Sequence, residues 1–337
     1  MTTIAPAPCF SIIIANFNYV RFVARAIESA LDLDWPHVEV IVVDDGSSDG
    51  SRAVIESFGD RVQAIFQPNG GQRSANNTGF AASRGDIVVF LDADDILDSH
   101  FARAVASVWR PGVSKVQVQM QRVDVEERSL GSVLPAIAEA PRPEDVRRWS
   151  VEMTEYPTPP GSGNAYARDF LARFFPIGPE HDSFTDSTCL ALAPLLGDVV
   201  TVLQPLVLYR QHGGNDSNLF ASPGRFGREV ARAMSRQRSA ESICNELGTP
   251  PPDKARLRSS RHLLQLRVAS LRMDPQGHPL PEDSRKVALI DAIHSVALRG
   301  FDPLSKRLAV ALWSIVTLTA PRPLADRLVR WRFRAAH

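Results

Sequence analysis

Ile87-Val88-Val89-Phe90-Leu91-Asp92-Ala93-Asp94-Asp95 is the stretch whose reading decides the fold of this chain. Five apolar residues stand between Arg84-Gly85-Asp86 and three acids, the pattern of a buried strand that ends where it meets polar surroundings. Alternation along an extended chain puts Asp92 and Asp94 on the same side. Two carboxylates directed into one cleft repel each other unless a cation stands between them. Hard divalent ions such as Mg²⁺ or Mn²⁺ take oxygen ligands of this kind, often beside a substrate's phosphates. The competing reading is an acidic turn that caps a helix from Ile96 onward.

On the amino-terminal side, strand and helix signals alternate. Ser11 to Ala15, Val38 to Val43 and Val62 to Phe66 read as strands, and Val20 to Leu31, Arg52 to Phe58 and Gln72 to Ser83 as helices. This βαβ repetition predicts an α/β fold, a Rossmann-like mostly parallel sheet with helices on both faces and ligands at the strands' carboxyl ends. Strand one is followed by Asn16-Phe17-Asn18, without the glycine fingerprint of a dinucleotide site. Beyond Pro111 the pattern changes: Lys115 to Asp124 alternates as a strand with one wet face, and Val199 to Tyr209 is a second β-rich block. After about residue 220 the chain turns Arg- and Ala-rich with helical spacing, which divides it into 1–220 and a basic helical region, 221–337.

The zero net charge of the 337 residues conceals an asymmetry. Residues 1–220 hold 17 Lys+Arg against 28 Asp+Glu, and residues 221–337 hold 21 against 10. Two surfaces meeting different partners would produce this, as would pairing of the two parts with each other. Cys9, Cys189 and Cys244 form no C-x-x-C pair and are expected to be reduced in a cytoplasmic protein. Met1 to Pro8 does not read as a signal peptide, and Leu308 to Leu318 is shorter than a bilayer span. The Arg-rich tail lacks a base-reading signature, so no nucleic-acid partner is expected.

Further motifs fall at predicted strand ends. Asp44-Asp45-Gly46-Ser47 ends strand two, and Asn69-Gly70-Gly71-Gln72 opens a helix whose free N–H groups favour an anion. Together with Ser11 to Asn18, Ala75-Asn76-Asn77-Thr78-Gly79 and Asp92-Ala93-Asp94, they make the first hundred residues resemble the inverting family 2 glycosyltransferases of the GT-A fold. The resemblance extends less sharply to about residue 217, through Pro159 to Ala165, His181 to Ser187 and Tyr209-Arg210-Gln211-His212.

That resemblance implies site roles. Asp94 would coordinate Mn²⁺ or Mg²⁺ on the donor diphosphate, with Asp92 supporting it or contacting the ribose, and Arg210 and His212 near the diphosphate or metal. Ala15 and Phe17 would line the nucleotide pocket, Asp45 would read the base, Asn77 would contact the nucleotide, and Gly163 and Asn164 would lie beside the donor sugar. Asp186 would be the general base, with Asp182 the weaker candidate. The implied reaction moves a sugar from a nucleoside-diphosphate sugar to an acceptor hydroxyl with inversion. Uridine is the base expected first, and the acceptor is a saccharide or lipid-linked saccharide of the cell envelope. A GT-A-like scaffold that binds a sugar nucleotide without turnover is the alternative. A peripheral contact with the inner face of an anionic membrane is also expected. Leu308 to Leu318 with Trp313, and Leu324, Leu328 and Trp331 with Arg327, Arg330 and Arg334 on a different face, suit a helix lying in the headgroup region, while packing of Leu308 to Leu318 as a core helix is the other possibility.

Overall fold

A computed structural model describes residues 7–182, 184–213, 219–220, 224–298 and 300–334. The chain divides into two compact units, Met1–Arg147 with Pro157–His212, and Arg148–Tyr156 with Gly213–His337.

The first unit is built on nine strands: β1 (Phe10–Asn16), β2 (Val38–Asp44), β3 (Gln63–Phe66), β4 (Ile87–Asp92), β5 (Ile96–Leu97), β6 (Val113–Val123), β7 (Ser129–Leu134), β8 (Asn164–Ala167) and β9 (Asp198–Arg210). They form one sheet in the order β3-β2-β1-β4-β8-β6-β9-β5, with β7 added to β6. The β3-β2-β1-β4 half is parallel, as its helical crossovers Val23–Leu31, Ser51–Glu56 and Gln72–Ala82 require. Every residue of β1 except Ala15 is buried, and β2 and β4 are buried through Val40–Asp44 and Ile87–Leu91, as expected of strands covered on both faces. This is the GT-A arrangement of α/β elements, followed by a helical carboxyl-terminal region.

Two local expectations give way. No helix begins at Ile96: Ile96–Leu97 pairs with β9, and the next helix is Phe101–Ser107. The second concerns β6, whose expected wet face is buried. Lys115 and Gln117 are fully inaccessible, because Pro157 to Asn164 crosses that face and supplies their hydrogen-bond partners.

The second unit is helical, with Arg225–Leu247, Arg261–Met273, Arg285–Ser295, Leu304–Thr319 and Arg322–Arg334 as its main elements. Its apolar core gathers Phe226, Val230, Leu263, Leu264, Val268, Val310, Trp313 and Phe333. Of the two readings left open for Leu308 to Leu318, Trp313 takes the core one: it is buried, and its indole donates to the Leu328 carbonyl. Arg267 is fully buried and reaches both Asp283, at 2.7 Å, and Asp291, at 2.8 Å. Burial acts to raise the Asp283 carboxyl, but hydrogen bonds from His278 and Arg267 outweigh it and hold the group well below the usual carboxylate range.

Glu155, in the same unit, is less well served. Its Oε1 is buried without a hydrogen-bond partner, and burial raises the carboxyl to about 7 against the pull of Arg236. Between its ordinary 4.5 and about 7, the folded chain keeps a proton that the unfolded chain has lost. The contribution of this group to stability therefore falls as pH rises through that window, and its cost is fully present above it. Glu155→Gln is expected to melt several degrees above the parent at about pH 8 and together with it at about pH 4. Equal melting temperatures at both pH values would show that the carboxyl is not strained.

Candidate functional site

The carboxyl ends of β1, β2 and β4 meet because the strands are parallel and in register. Ala15 pairs with Val43 on one side and Asp92 on the other, and Asn16 pairs with Asp44. Phe17, just past β1, is about half exposed. Asp44 is held internally, accepting from the Asn16 amide at 2.7 Å and the Ser47 N–H at 2.9 Å. Gly46 has a φ of +81° and passes so close to Asn69 that a Cβ there would lie 2.8 Å from its backbone nitrogen, so only glycine suits this turn. The turn brings Asp45 under the next helix. Its carboxylate accepts from the N–H groups of Gly70 at 3.0 Å and Gly71 at 2.7 Å, and from the Gln67 amide at 2.6 Å. The anion at the start of the Gln72–Ala82 helix is thus the chain's own Asp45.

Four acids gather where β4 ends. Asp92 accepts from the Gln72 amide at 3.1 Å, and its carboxyl is pushed up to about 8, first by burial, then by the charges of Asp94 and Asp186. Asp95 is buried and raised well above the ordinary value, again first by burial and then by Asp94 and Asp92. Ser162 joins the two: it accepts from the Asp92 N–H at 3.0 Å and donates to Asp95 at 2.6 Å. Asp94 faces His212, with Oδ2 to Nε2 at 2.8 Å. The imidazole is fixed by stacking on Phe22, at 5.1 Å between centroids, and by the edge of Tyr19.

Arg210 lies at the same place, and its donors bind protein atoms. Its guanidinium reaches the carbonyls of Asp94 and Val125, each at 2.9 Å, and Glu127 at 3.3 Å, while its N–H donates to Asp95. It fixes the turn that presents Asp94.

Asp186 occupies the first turn of the Thr185–Leu196 helix. A Cβ added to Gly161 would lie 3.5 Å from Asp92 Oδ2 and 3.8 Å from Asp186 Oδ2, so this glycine keeps open the space between the two acids. Gly163 is instead packed against Pro159 and Met120. Asn164 folds the turn on itself, donating to the carbonyls of Pro160 and Gly161 and accepting from Lys115. Asn77 clasps the backbone of Ile177 through both ends of its amide. Asn76 donates to Thr185, the residue before Asp186.

Several participants carry no sequence signal of their own. Asp95 and Ser162 are ordinary turn residues in the sequence, and their role follows only from the pairing of β8 with β4. Lys115, on β6, donates to Gln117, Thr158 and Asn164 at 2.9–3.0 Å and so anchors the turn bearing Gly161. Burial pulls its ammonium well below the ordinary value, only partly offset by the neighbouring Asp186.

Among the described residues, no three His, Cys, Asp or Glu side chains form a group that could by itself hold a metal ion. The Asp94 carboxylate and the His212 imidazole do lie together, hydrogen-bonded to each other at 2.8 Å. Carboxylate and imidazole suit a hard to borderline divalent ion, and such ions are commonly held by one or two protein groups with substrate phosphates completing the shell. The residues fit an ion brought together with a diphosphate.

Known proteins resemble this chain in sequence and in fold. Residues 11–175 match the family model described as glycosyl transferase family 2. An uncharacterized glycosyltransferase of Nostoc sp. is 36% identical over 219 residues, 63% of this chain and 67% of that protein. The uncharacterized glycosyltransferase EpsJ of Bacillus subtilis is 38% identical over 95 residues, about 28% of its length. Among solved structures, TarS 1–349 of S. aureus in complex with UDP-GlcNAc superposes with a TM-score of 0.55 at 16% identity, covering 92% of this chain and 90% of that one. The mannosyltransferase PcManGT of Pyrobaculum calidifontis, in complex with GDP-Man and Mn²⁺, gives 0.51 at 18% identity, covering 98% and 87%. At these identities the two structures establish the fold.

Replacing Gly161 tests whether the space between Asp92 and Asp186 is used. Gly161→Val is expected to lower ligand binding at this site at least about tenfold, a loss of about 1.4 kcal/mol, with little change in melting temperature. A variant that folds and binds as the parent does would remove Gly161 from the site.

Proposed function

This chain belongs to glycosyl transferase family 2, and we propose that its first unit transfers a sugar from a nucleoside-diphosphate sugar to an acceptor hydroxyl with inversion. The observation that supports this best is the meeting of Asp92 and Asp186 across the space left by Gly161, with Asp94 near enough to raise the Asp92 carboxyl, at the carboxyl ends of parallel strands.

In this reading the nucleoside lies over Ala15 and Phe17 at the end of β1. Asp45 shapes the base pocket through the Gly70-Gly71 turn that it holds, and Asn77 keeps the adjoining helix in register with Ile177. Asp94 and His212 would hold Mn²⁺ or Mg²⁺, with Asp92 beside them. A bound ion would supply Lewis-acid neutralisation of charge on the diphosphate. Arg210 holds the Asp94 turn in place and adds positive potential near the diphosphate. Gly163 and Asn164 shape the turn whose Gly161 borders the sugar. Asp186 accepts the proton of the acceptor hydroxyl as that oxygen attacks the anomeric carbon from the face opposite the diphosphate. The new glycosidic C–O bond forms as the bond to the diphosphate breaks. General base catalysis of this kind contributes about 10²–10⁴-fold. A uridine donor and a saccharide or lipid-linked acceptor in envelope polysaccharide synthesis fit the proposal. The solved structures' ligands support the donor class, because one neighbour holds UDP-GlcNAc and another GDP-Man.

The division of roles gives a test. A screen of UDP-, GDP- and dTDP-sugars with Mn²⁺ should find a donor that raises the melting temperature. Asp186→Asn should retain that shift while losing transfer by about two decades or more. Loss of the shift in Asp186→Asn would move this residue to the donor site or to the fold. A donor that binds yet is neither hydrolysed nor transferred to any acceptor would favour the scaffold reading.

A further inference from the structure

The helical unit exposes apolar side chains on faces that its own packing does not use. The helices Arg285–Ser295 and Arg322–Arg334 both pack on Leu304–Thr319, and all three pack on Arg261–Met273. Their inward faces provide Ala288, Ala292, Val310, Trp313, Leu318, Val329 and Phe333 to the buried core. The Leu304–Thr319 helix has a second apolar face. Leu304, Leu308, Leu312 and Val316 recur every four residues along it, and Leu312 is 64% exposed. Outward positions on the flanking helices are alike: Ile290 and Ile293 (63% exposed) on one, Leu324 and Trp331 (66%) on the other. An all-apolar helix normally lies inside a protein, so an outward apolar face on a small helical unit marks a place of contact.

The surrounding charges say with what. Residues 285–334 hold ten Lys or Arg and three acids, Asp291, Asp302 and Asp326. Asp291 is bound to Arg267 and Arg258, and Asp302 to Arg261, so both are neutralised within the unit. Asp326 is mostly buried, with Oδ1 shielded from solvent. The exposed positions therefore combine apolar side chains with Arg285, Lys286, Lys306, Arg322, Arg327 and Arg330, and among the described residues of this stretch no acid is exposed. No helix among them is long and apolar enough to cross a bilayer.

We propose that the outward faces of these three helices form a docking surface for an anionic lipid membrane. Leucine, isoleucine and Trp331 enter the boundary between headgroups and acyl chains, and the lysines and arginines meet the lipid phosphates. An aromatic residue with one polar edge suits that boundary, and arginine's forked guanidinium suits a phosphate. This surface differs from the one the sequence suggests: Trp313 faces the core, and Ile290 and Ile293 join from a helix outside the expected segment.

Binding can be read without any activity. The full chain is mixed with vesicles of equal parts phosphatidylglycerol and phosphatidylcholine, or of phosphatidylcholine alone, and sedimented at low and high salt. It should pellet with the anionic vesicles at low salt, and less with neutral vesicles or at high salt. The doublet Leu312→Asp with Trp331→Asp, made at exposed positions, should keep its melting temperature and lose at least about tenfold in partition. Lys286→Gln with Lys306→Gln and Arg327→Gln should weaken binding to anionic vesicles and leave residual binding to neutral ones unchanged. A parent that stays in the supernatant with anionic vesicles at low salt overturns the proposal, as does a folded doublet that pellets like the parent. A parent that sediments as a dimer, dissociates in the doublet and ignores vesicles would assign the surface to a second copy of the chain instead.

Discussion

Four carboxylates crowded at the end of β4 are the constraint around which the first unit is arranged. Asp92 and Asp95 are both raised by burial and by neighbouring negative charge, a cost that a fold sustains only where donors are positioned to reduce it. Those donors come from distant parts of the chain: Gln72 from a crossover helix, Ser162 from the turn before β8 and the Arg210 N–H from β9, while His212 just beyond β9 pairs with Asp94. The sheet order explains how they arrive. The β4-β8 and β8-β6-β9 pairings bring residues some 70 to 120 positions apart in sequence to the end of one strand.

Support extends outward in layers. Arg210 holds the carbonyl of Asp94, Phe22 and Tyr19 hold His212, and Lys115 holds the Asn164 turn from below through a buried polar cluster. Such a cluster contributes mainly by fixing geometry, since an unpaired member would cost about 1–3 kcal/mol. The helical unit follows the same rule with its buried Arg267 between Asp283 and Asp291.

Much of this was legible in the sequence. The βαβ half was readable because strands buried on both faces appear as apolar runs, and the family resemblance rested on those runs and the acids that end them. Asp92, Asp94, Asp186, Arg210 and His212 do come together. The rest was hidden for physical reasons. Lys115 and Gln117 alternate with valines like any half-exposed strand, and only the crossing of Pro157 to Asn164 buries them. Asp95 resembles its neighbours in sequence, yet it bonds inward to Ser162 while Asp94 meets His212. Gly161 and Gly163 are equivalent as text, and only the fold shows which of them borders the acids. The Leu304–Thr319 helix carries two apolar faces, and periodicity alone does not assign either of them to the core.

The central claim is that this acidic cluster becomes a cation site when a nucleoside diphosphate is present. It is tested most directly by electron paramagnetic resonance of Mn²⁺ titrated against the full chain with UDP, GDP or dTDP. The free-ion signal should fall for the parent chain in the presence of one of these diphosphates and persist for Asp94→Asn under the same conditions. Equal Mn²⁺ uptake by parent and Asp94→Asn, or no uptake by the parent with any of the three, would contradict it.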